Sequence, residues 1–343
     1  MTPAHAAPPL VHAFEALTPD IVLDALASIG LMGDGRLMAL SSYENRVYQI
    51  HLESAVGAAS DVVVAKFYRP GRWANAQITE EHAFASELMA AEVPVVGALA
   101  LQGHTLHHFN GFAFSVSPSR GGRRPELENF EVLEWIGRFL ARIHTVGSAK
   151  PFAHRPALDL QTFGYASRAV LLTHHYLPLD MESRWLKAFE VAMQTAAAVF
   201  ESVGVIKNIR LHGDCHPGNI LWTPEGVAGA GPHFVDLDDA RTGPAVQDLW
   251  MLLSGERPQV LQQLGALVDG YEEFREFDRR ELALIEPLRT LRLVHYSAWL
   301  AQRWHDPIFP INFPWFGSSD YWKGQVDMLQ EQTEAMQAAP LVA

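Results

Sequence analysis

Residues 212 to 236 carry the pattern that most narrows the folds open to this chain. His212-Gly-Asp-Cys-His-Pro-Gly-Asn219 is a polar, turn-rich stretch. It leads into two short β-favouring runs, Ile220-Leu-Trp222 and His233-Phe-Val235, and the second ends on Asp236. A loop followed by a hairpin, with a carboxylate at the hairpin's exit, gathers Asp214, Asn219 and Asp236 onto one wall of a site. An isolated Asp-rich turn would read as a solvated loop. The full set, D-x4-N, a hairpin-length gap and an apolar strand ending in Asp, is far more specific.

Phosphoryl transfer from ATP needs few protein groups. One carboxylate orients the acceptor hydroxyl and takes its proton; an amide oxygen and a second carboxylate hold Mg²⁺, which prefers hard oxygen ligands. Asp214, Asn219 and Asp236 supply these three groups, with Asp214 and Asp236 as the catalytic pair and Asn219 and Asp236 as the metal ligands. The offsets match the H-R-D-x-x-x-x-N catalytic loop, with Gly213 in place of Arg. The alternative, His212, Asp214 and His216 as an H-x-D-x-H metal set completed by His233, leaves Asn219 unexplained. His216 reads instead as a loop-orienting or substrate-facing residue. Upstream, Val62-Val-Val-Ala-Lys-Phe67 resembles the strand whose Lys contacts the nucleotide phosphates, which makes Lys66 the expected phosphate ligand. Its partner is expected on the next helix, at Glu80 or Glu81, with Glu81 favoured by spacing. No G-x-G-x-x-G precedes Lys66; Ser41 and Ser42 stand there, and Ser42 is the favoured phosphate contact.

The elements along the chain support a β-rich part followed by a helical part. Thr18-Pro-Asp20 opens a helix that Gly30 ends. Strands are expected over 43–52 and 61–68 with a turn at Gly57, a helix over 76–91, and strands near 99–101 and 112–116. Ser117-Pro-Ser-Arg-Gly-Gly122 reads as a linker, and the backbone near Val116 to Ser119 as the adenine grip. Helices follow over 132–143, 186–203 and 281–304. The fold class expected is α+β: two lobes, a small β-rich part over 1–117 and a larger helical part over 118–343, within one domain. Hydrophobic residues make up 48% of the 343 and charged residues 19%, enough for a sizeable core and against disorder. A net charge of −13 disfavours broad nucleic-acid or anionic-membrane binding. Cys215 is the single cysteine, so no intrachain disulfide forms. Beside Asp214 it reads as a buried filler, or alternatively as an oxidation sensor. The absence of a signal-like start or a long apolar run leads to the expectation of a soluble, cytoplasmic protein.

The acceptor is less constrained. Only about ten residues separate Asp236 from the next helix, too few for a long peptide-docking segment, and Gly213 removes the Arg that would read a phosphorylated loop. Asp238 is a candidate for a second metal or a basic substrate, while Asp239 and Asp248 are expected to cap backbone groups. Arg289, Arg292, His295, Trp299, Arg303 and Trp304 read either as an acceptor-pocket lining or as core plus a solvated face.

The motif Leu211-His-Gly-Asp-Cys-His-Pro-Gly-Asn-Ile-Leu-Trp222 resembles the aminoglycoside phosphotransferase and choline kinase-like superfamily. Ser42-Tyr-Glu-Asn-Arg-Val-Tyr48, Lys66-Phe-Tyr-Arg-Pro70, Phe234 to Arg241, Gly243 to Leu253 and Asn312-Phe-Pro-Trp315 look more narrowly like the bacterial stress response kinase A family. The resemblance covers about Leu17 to Trp322, and only the segment around Glu53 to Asp61 is longer than the family pattern. It implies a protein kinase-like fold and an ATP- and Mg²⁺-dependent serine/threonine protein kinase, cytoplasmic, monomeric and able to autophosphorylate, with a role in stress survival. By matched position it implies Asp214 as base, Asn219 and Asp236 as Mg²⁺ ligands and Ser42 at the ATP phosphates. The competing acceptor is a small-molecule alcohol: an amino alcohol, sugar or aminoglycoside. A nucleotide-binding regulator without turnover would not need the intact Asp214, Asn219, Asp236 and Lys66 set.

Overall fold

The computed structural model describes residues 13–55, 61–173 and 176–343. The expected turn at Gly57, and the start of the chain read above for a targeting signal, lie outside them. Helix α1 (Pro19–Ser28) begins as its sequence dictates: the Thr18 hydroxyl accepts from Ile21 N at 3.3 Å, and Pro19 opens the first turn. Gly30, at φ +86°, turns the chain out of it into a sheet.

That sheet is antiparallel, in the order β1-β2-β3-β5-β4. Its strands are β1 (Gly33–Leu40), β2 (Arg46–Leu52), β3 (Val62–Phe67), β4 (His107–Phe109) and β5 (Phe112–Pro118). Strand β3 alternates cleanly: Val63, Ala65 and Phe67 are buried, and Lys66 stands on the opposite face between Val47 and Ser115 of its neighbours. Two readings are corrected here. The segment 99–101 is not a ladder strand; Leu99 N donates to Val116 O, Leu101 closes a turn with His104, and the edge strand is β4. The stretch read as a linker starts inside β5, which runs to Pro118, and Ser119 N donates to Val62 O at 3.2 Å.

Helix α2 (Asn75–Ala90) follows β3 in the chain but shares its burial with the helical part. Phe84, Ala85 and Leu88 pack with Val132, Leu133 and Ile136 in the larger core. The sheet and α1 enclose a separate core of Val22, Leu26, Val63, Phe67, Phe114 and their neighbours.

The remainder is built on α3 (Phe130–Gly147), α4 (Ala166–Thr173), α5 (Leu179–Val203), α6 (Val246–Trp250), α7 (Arg257–Glu272), α8 (Ile285–Arg303), α9 (Ile308–Asn312) and α10 (Ser319–Gln337). Between α5 and α6 lie four short strands: β6 (Ile209–Leu211), β7 (Ile220–Thr223), β8 (Gly231–Phe234) and β9 (Arg241–Gly243). The hairpin β7–β8 is the expected one. Strand β6 pairs instead with β9, so the residues from 212 to 240 form a loop closed at its base by that pairing. Val96 N donates to Phe234 O and Phe234 N to Pro94 O, stitching β8 to the segment after α2. The Asp236 turn is thereby brought against the sheet-bearing part. Among the described residues no helix is long and apolar enough to cross a membrane.

Candidate active site

The loop after β6 is shaped by one glycine and one buried carboxylate. Gly213 sits at φ +84°, and a Cβ there would come 2.2 Å from the Asp239 carbonyl oxygen. Only glycine fits both constraints. Asp248, fully buried on α6, accepts from His212 N at 2.8 Å and Gly213 N at 2.9 Å, as expected of a capping carboxylate. Its other neighbour is His144 Nε2 at 3.1 Å. Burial works to raise the Asp248 carboxyl, but these hydrogen bonds and charges outweigh it and hold it below its ordinary value.

The same loop is tied to the β8 exit. His212 Nε2–H donates to Val235 O at 2.9 Å, and Val235 N donates to Asn219 O at 3.0 Å. Asn219 spends its amide nitrogen on Asp214 O at 3.0 Å, which leaves its amide oxygen to face a cation. Asp236 then takes a left-handed turn, φ +60°, unusual for a residue with a Cβ. Its exposed carboxylate lies 2.5 Å from Lys66 Nζ on β3. Burial alone would lower the Lys66 ammonium, but Asp236, Asp238 and Glu81 together raise it above its ordinary value. Asp214, Asn219, Asp236 and Lys66 therefore converge on one place, as the motif spacing predicts. Asn219 and Asp236 offer hard oxygens from two adjoining turns, a donor set that fits Mg²⁺.

The partner expected for Lys66 is arranged differently. Glu80 is committed elsewhere, accepting from His154 N at 2.8 Å and Arg155 N at 2.9 Å. Glu81 is buried with Oε2 accepting no hydrogen bond and His82 Nε2 3.7 Å away, and burial pushes its carboxyl up to about 7 against the pull of Lys66. The Lys66 ion pair is made with Asp236, not with Glu81. The metal-ligand alternative fails on the imidazoles: His212 is spent on Val235, His216 Nδ1 accepts from Gly218 N, and His233 Nδ1 faces Arg120 at 3.4 Å. His216 is the loop-orienting residue expected, with Nε2 3.6 Å from Asp214 Oδ2. Cys215 is buried and its thiol is pushed well above its ordinary value, chiefly by burial. That is the filler reading; a sensor needs an accessible thiolate.

Two further expectations are corrected. Asp238 is buried in the 3₁₀ turn that follows Asp236, paired with Arg72 and accepting from Asn45 Nδ2 at 3.1 Å. It is not free for a second metal or a basic substrate. Among the described residues Asp239 caps no backbone group; it pairs with Arg72 at 2.8 Å and Arg241 at 2.6 Å. The α8 cluster divides. His295 stacks on Phe163, Arg289 pairs with Glu286 and Trp304 packs on Phe316, whereas Arg292, Trp299 and Arg303 reach the site.

Sequence reasoning missed how much of the site is made by arginine. The β1–β2 connection, residues 41–45, is anchored from three directions. Ser42 Oγ accepts from Asn45 N at 3.3 Å and closes the loop on itself, while Ser41 is exposed. Arg69 donates to Glu44 O, Tyr43 O and, through its backbone N, Asn45 Oδ1, all between 3.0 and 3.1 Å. The Glu44 carboxylate is held by Arg303 at 2.5 Å and Trp299 Nε1 at 2.6 Å. Arg292 Nη1 lies 2.8 Å from Asp214 Oδ1. The one available signal was the unbroken quality of the Ser42–Tyr48 and Lys66–Pro70 blocks, which carried no assigned chemistry for Glu44, Asn45 or Arg69.

Comparison with known proteins agrees with this geometry. The model of the phosphotransferase enzyme family matches residues 37–285. Stress response kinase A of Escherichia coli strain K12 is 45% identical over 328 residues, 96% of this chain and 96% of that protein. Serine/threonine protein kinase RdoA of Salmonella typhimurium is 44% identical over the same shares. Among solved structures, amicoumacin kinase hAmiN in complex with AMP-PNP, Ca²⁺ and Ami superposes with TM-score 0.70 at 16% identity, covering 94% of this chain and 95% of that one. A choline kinase from Cryptosporidium parvum gives 0.59 at 10%, covering 93% and 96%. These two share the fold.

Proposed function

The chain belongs to the phosphotransferase enzyme family, within it to the stress response kinase A group, and from that premise we propose that it moves the γ-phosphoryl group of ATP onto serine or threonine hydroxyls of protein. The convergence of Asp214, Asn219, Asp236 and Lys66 is the observation that carries the reading. Asp214 accepts the proton of the acceptor hydroxyl as its oxygen bonds to phosphorus and the bond to the ADP oxygen breaks. Lys66 meets the phosphates from β3, and the Ser42 turn offers backbone N–H groups beside them, because Val47 lies directly opposite Lys66. Asn219 and Asp236 would hold Mg²⁺, which screens the phosphate charge when bound. Glu81, whose carboxyl the Lys66 ammonium pulls down against burial, would receive that ammonium were Asp236 to hold Mg²⁺.

We assign the nucleotide side to residues 1–117 and the catalytic and acceptor side to residues 118–343, with the backbone near Val116 to Ser119 at the adenine. The protein works as a monomer in the cytoplasm, where ATP and reduced thiols are found. A small-molecule alcohol is the second acceptor reading, favoured by the ten-residue passage from Asp236 to α6.

Purified protein with radiolabelled ATP and Mg²⁺, beside Asp214→Asn, tests the assignment. Acid-stable phosphoserine or phosphothreonine on the protein itself or on an added protein is expected. The variant should lose about 10²–10⁴ in kcat. ATP binding without any labelled protein would move the acceptor to small molecules.

A further inference from the structure

In this structure the proposed base is not free. Arg292 Nη1 sits 2.8 Å from Asp214 Oδ1, while His216 Nε2 lies 3.6 Å from the other oxygen. Arg292 is two-fifths exposed on α8, and among the described residues this ion pair is what holds its guanidinium. One turn on, Tyr296 stacks on Trp299 at 5.8 Å, and Tyr43 of the β1–β2 loop packs edge-on against Phe313 at 5.1 Å. Tyr43 and Tyr296 are both exposed. The approach to Asp214 is thus an arginine on an aromatic ledge.

The carboxylates around this approach are all matched. Glu44 is held by Arg69 and Arg303, Asp238 by Arg72, Asp239 by Arg72 and Arg241, and Asp306 by Arg69 and Arg46. Each of these four carboxylates already faces an arginine, so a cationic acceptor would have to compete for it, and it would meet Arg292 directly. An acceptor carrying an anion beside its hydroxyl would do the opposite: it would draw the guanidinium off Asp214 and expose the base as it docks.

We propose that Arg292 selects the acceptor, leaving Asp214 for an anionic group next to the target hydroxyl, so that serines and threonines flanked by a carboxylate or phosphate are phosphorylated and cationic acceptors are rejected. This rests on the phosphotransferase reading above and specifies its substrate class. The chemistry at Asp214 is unchanged: the proton goes to the carboxylate as phosphorus passes from the ADP oxygen to the acceptor oxygen.

The test is a matched acceptor panel assayed by initial rates. It contains one serine peptide flanked by Asp and Glu, the same peptide flanked by phosphoserine, the same flanked by Lys and Arg, and two small alcohols, ethanolamine and glycerate. For the wild type, kcat/KM should favour the anionic over the basic peptide by about tenfold. Arg292→Ala should bring that ratio to within about twofold, Arg292→Lys should keep most of it, and Arg292→Glu should reverse it. The Asp-flanked and phosphoserine-flanked arms show which anion is preferred. Basic peptides preferred by the wild type, or an equal loss on every acceptor in Arg292→Ala, overturns the proposal, the second because Arg292 would then act on the donor side. Label on glycerate but on no peptide leaves the Arg292 assignment standing and removes the protein acceptor. Label on ethanolamine in preference to glycerate overturns it, and label on none of the five overturns both readings.

Discussion

At Gly213 a single hydrogen in place of a side chain decides whether the catalytic loop can close. The positive φ and the 2.2 Å approach of the Asp239 carbonyl both exclude a Cβ. Gly213→Ala should destabilise the fold by at least about 2 kcal/mol, read as a lowered denaturation midpoint, and should lower kcat further by displacing Asp214. An alanine variant with native stability and rate would show that the loop does not need this contact. The sequence presents Gly213 only as a missing arginine; the reason for glycine lies in a carbonyl 26 positions away. Asp214, Asn219 and Asp236 were legible because loop and hairpin are contiguous in the chain. Arg292 was visible as a charge on a helix, but its pairing with Asp214 depends on how α8 packs.

Among the elements, the β1–β2 hairpin behaves least like its sequence. Strand β1 carries Gly33 and Gly35 and lies mostly exposed at the sheet edge, so it lacks the alternation that marks β3. Strand β9 is three residues long and exists only through its pairing with β6. The loop between β1 and β2 is fastened to α8 and α9 rather than left free. Glu44 binds Trp299 and Arg303, Arg69 binds Asp306 at 2.9 Å, and Tyr43 packs on Phe313 with ring centres 5.1 Å apart. Glu44→Ala would leave Arg303 buried without its carboxylate and Arg69 with Asp306 alone. The expected cost is about 3–5 kcal/mol of stability, with a raised KM for ATP as the loop loosens. Glu44→Gln, which keeps the Trp299 hydrogen bond, should lose less. Thermal denaturation and ATP-dependent initial rates on both variants check this, and an unchanged melting temperature in Glu44→Ala would remove the clamp from the account.

Over the whole molecule, burial sets a pH dependence through groups held away from their ordinary values. Burial lowers His82 to about 4 and His295 to about 3, and lowers His107, His216 and His233 as well. Their unfolded forms bind protons near 6.5, so the stability they represent is full above that pH and is lost as pH falls. Glu81 and Glu281 run the other way. Burial raises both to about 7, so their contribution is full below 4.5 and is lost as pH rises through 7. Between pH 4.5 and 6.5 the histidines outnumber the glutamates, and stability should rise with pH, blunted by the two carboxyls. Glu281→Gln removes one blunting proton without touching the site and should steepen that rise by about 1.4 kcal/mol per pH unit. Melting temperatures of both proteins across this range decide it; parallel curves would mean that Glu281 titrates normally.

The sequence by itself determined the groups that act within short stretches of chain. These are the Asp214–Asn219 loop, the hairpin that delivers Asp236, the alternation that turns Lys66 away from the core, and the order of a β-rich part before a helical one. Each follows from local spacing and periodicity, which packing does not need to complete. Only the tertiary structure decided which charges meet. Lys66 finds Asp236 rather than Glu81, Glu44 finds Arg303 across 259 positions, Asp238 is used up by Arg72, and Arg292 lies on Asp214. Long flexible side chains carry little information about their partners in the sequence around them, because a charge is satisfied by whatever opposite charge the fold brings within about 3 Å.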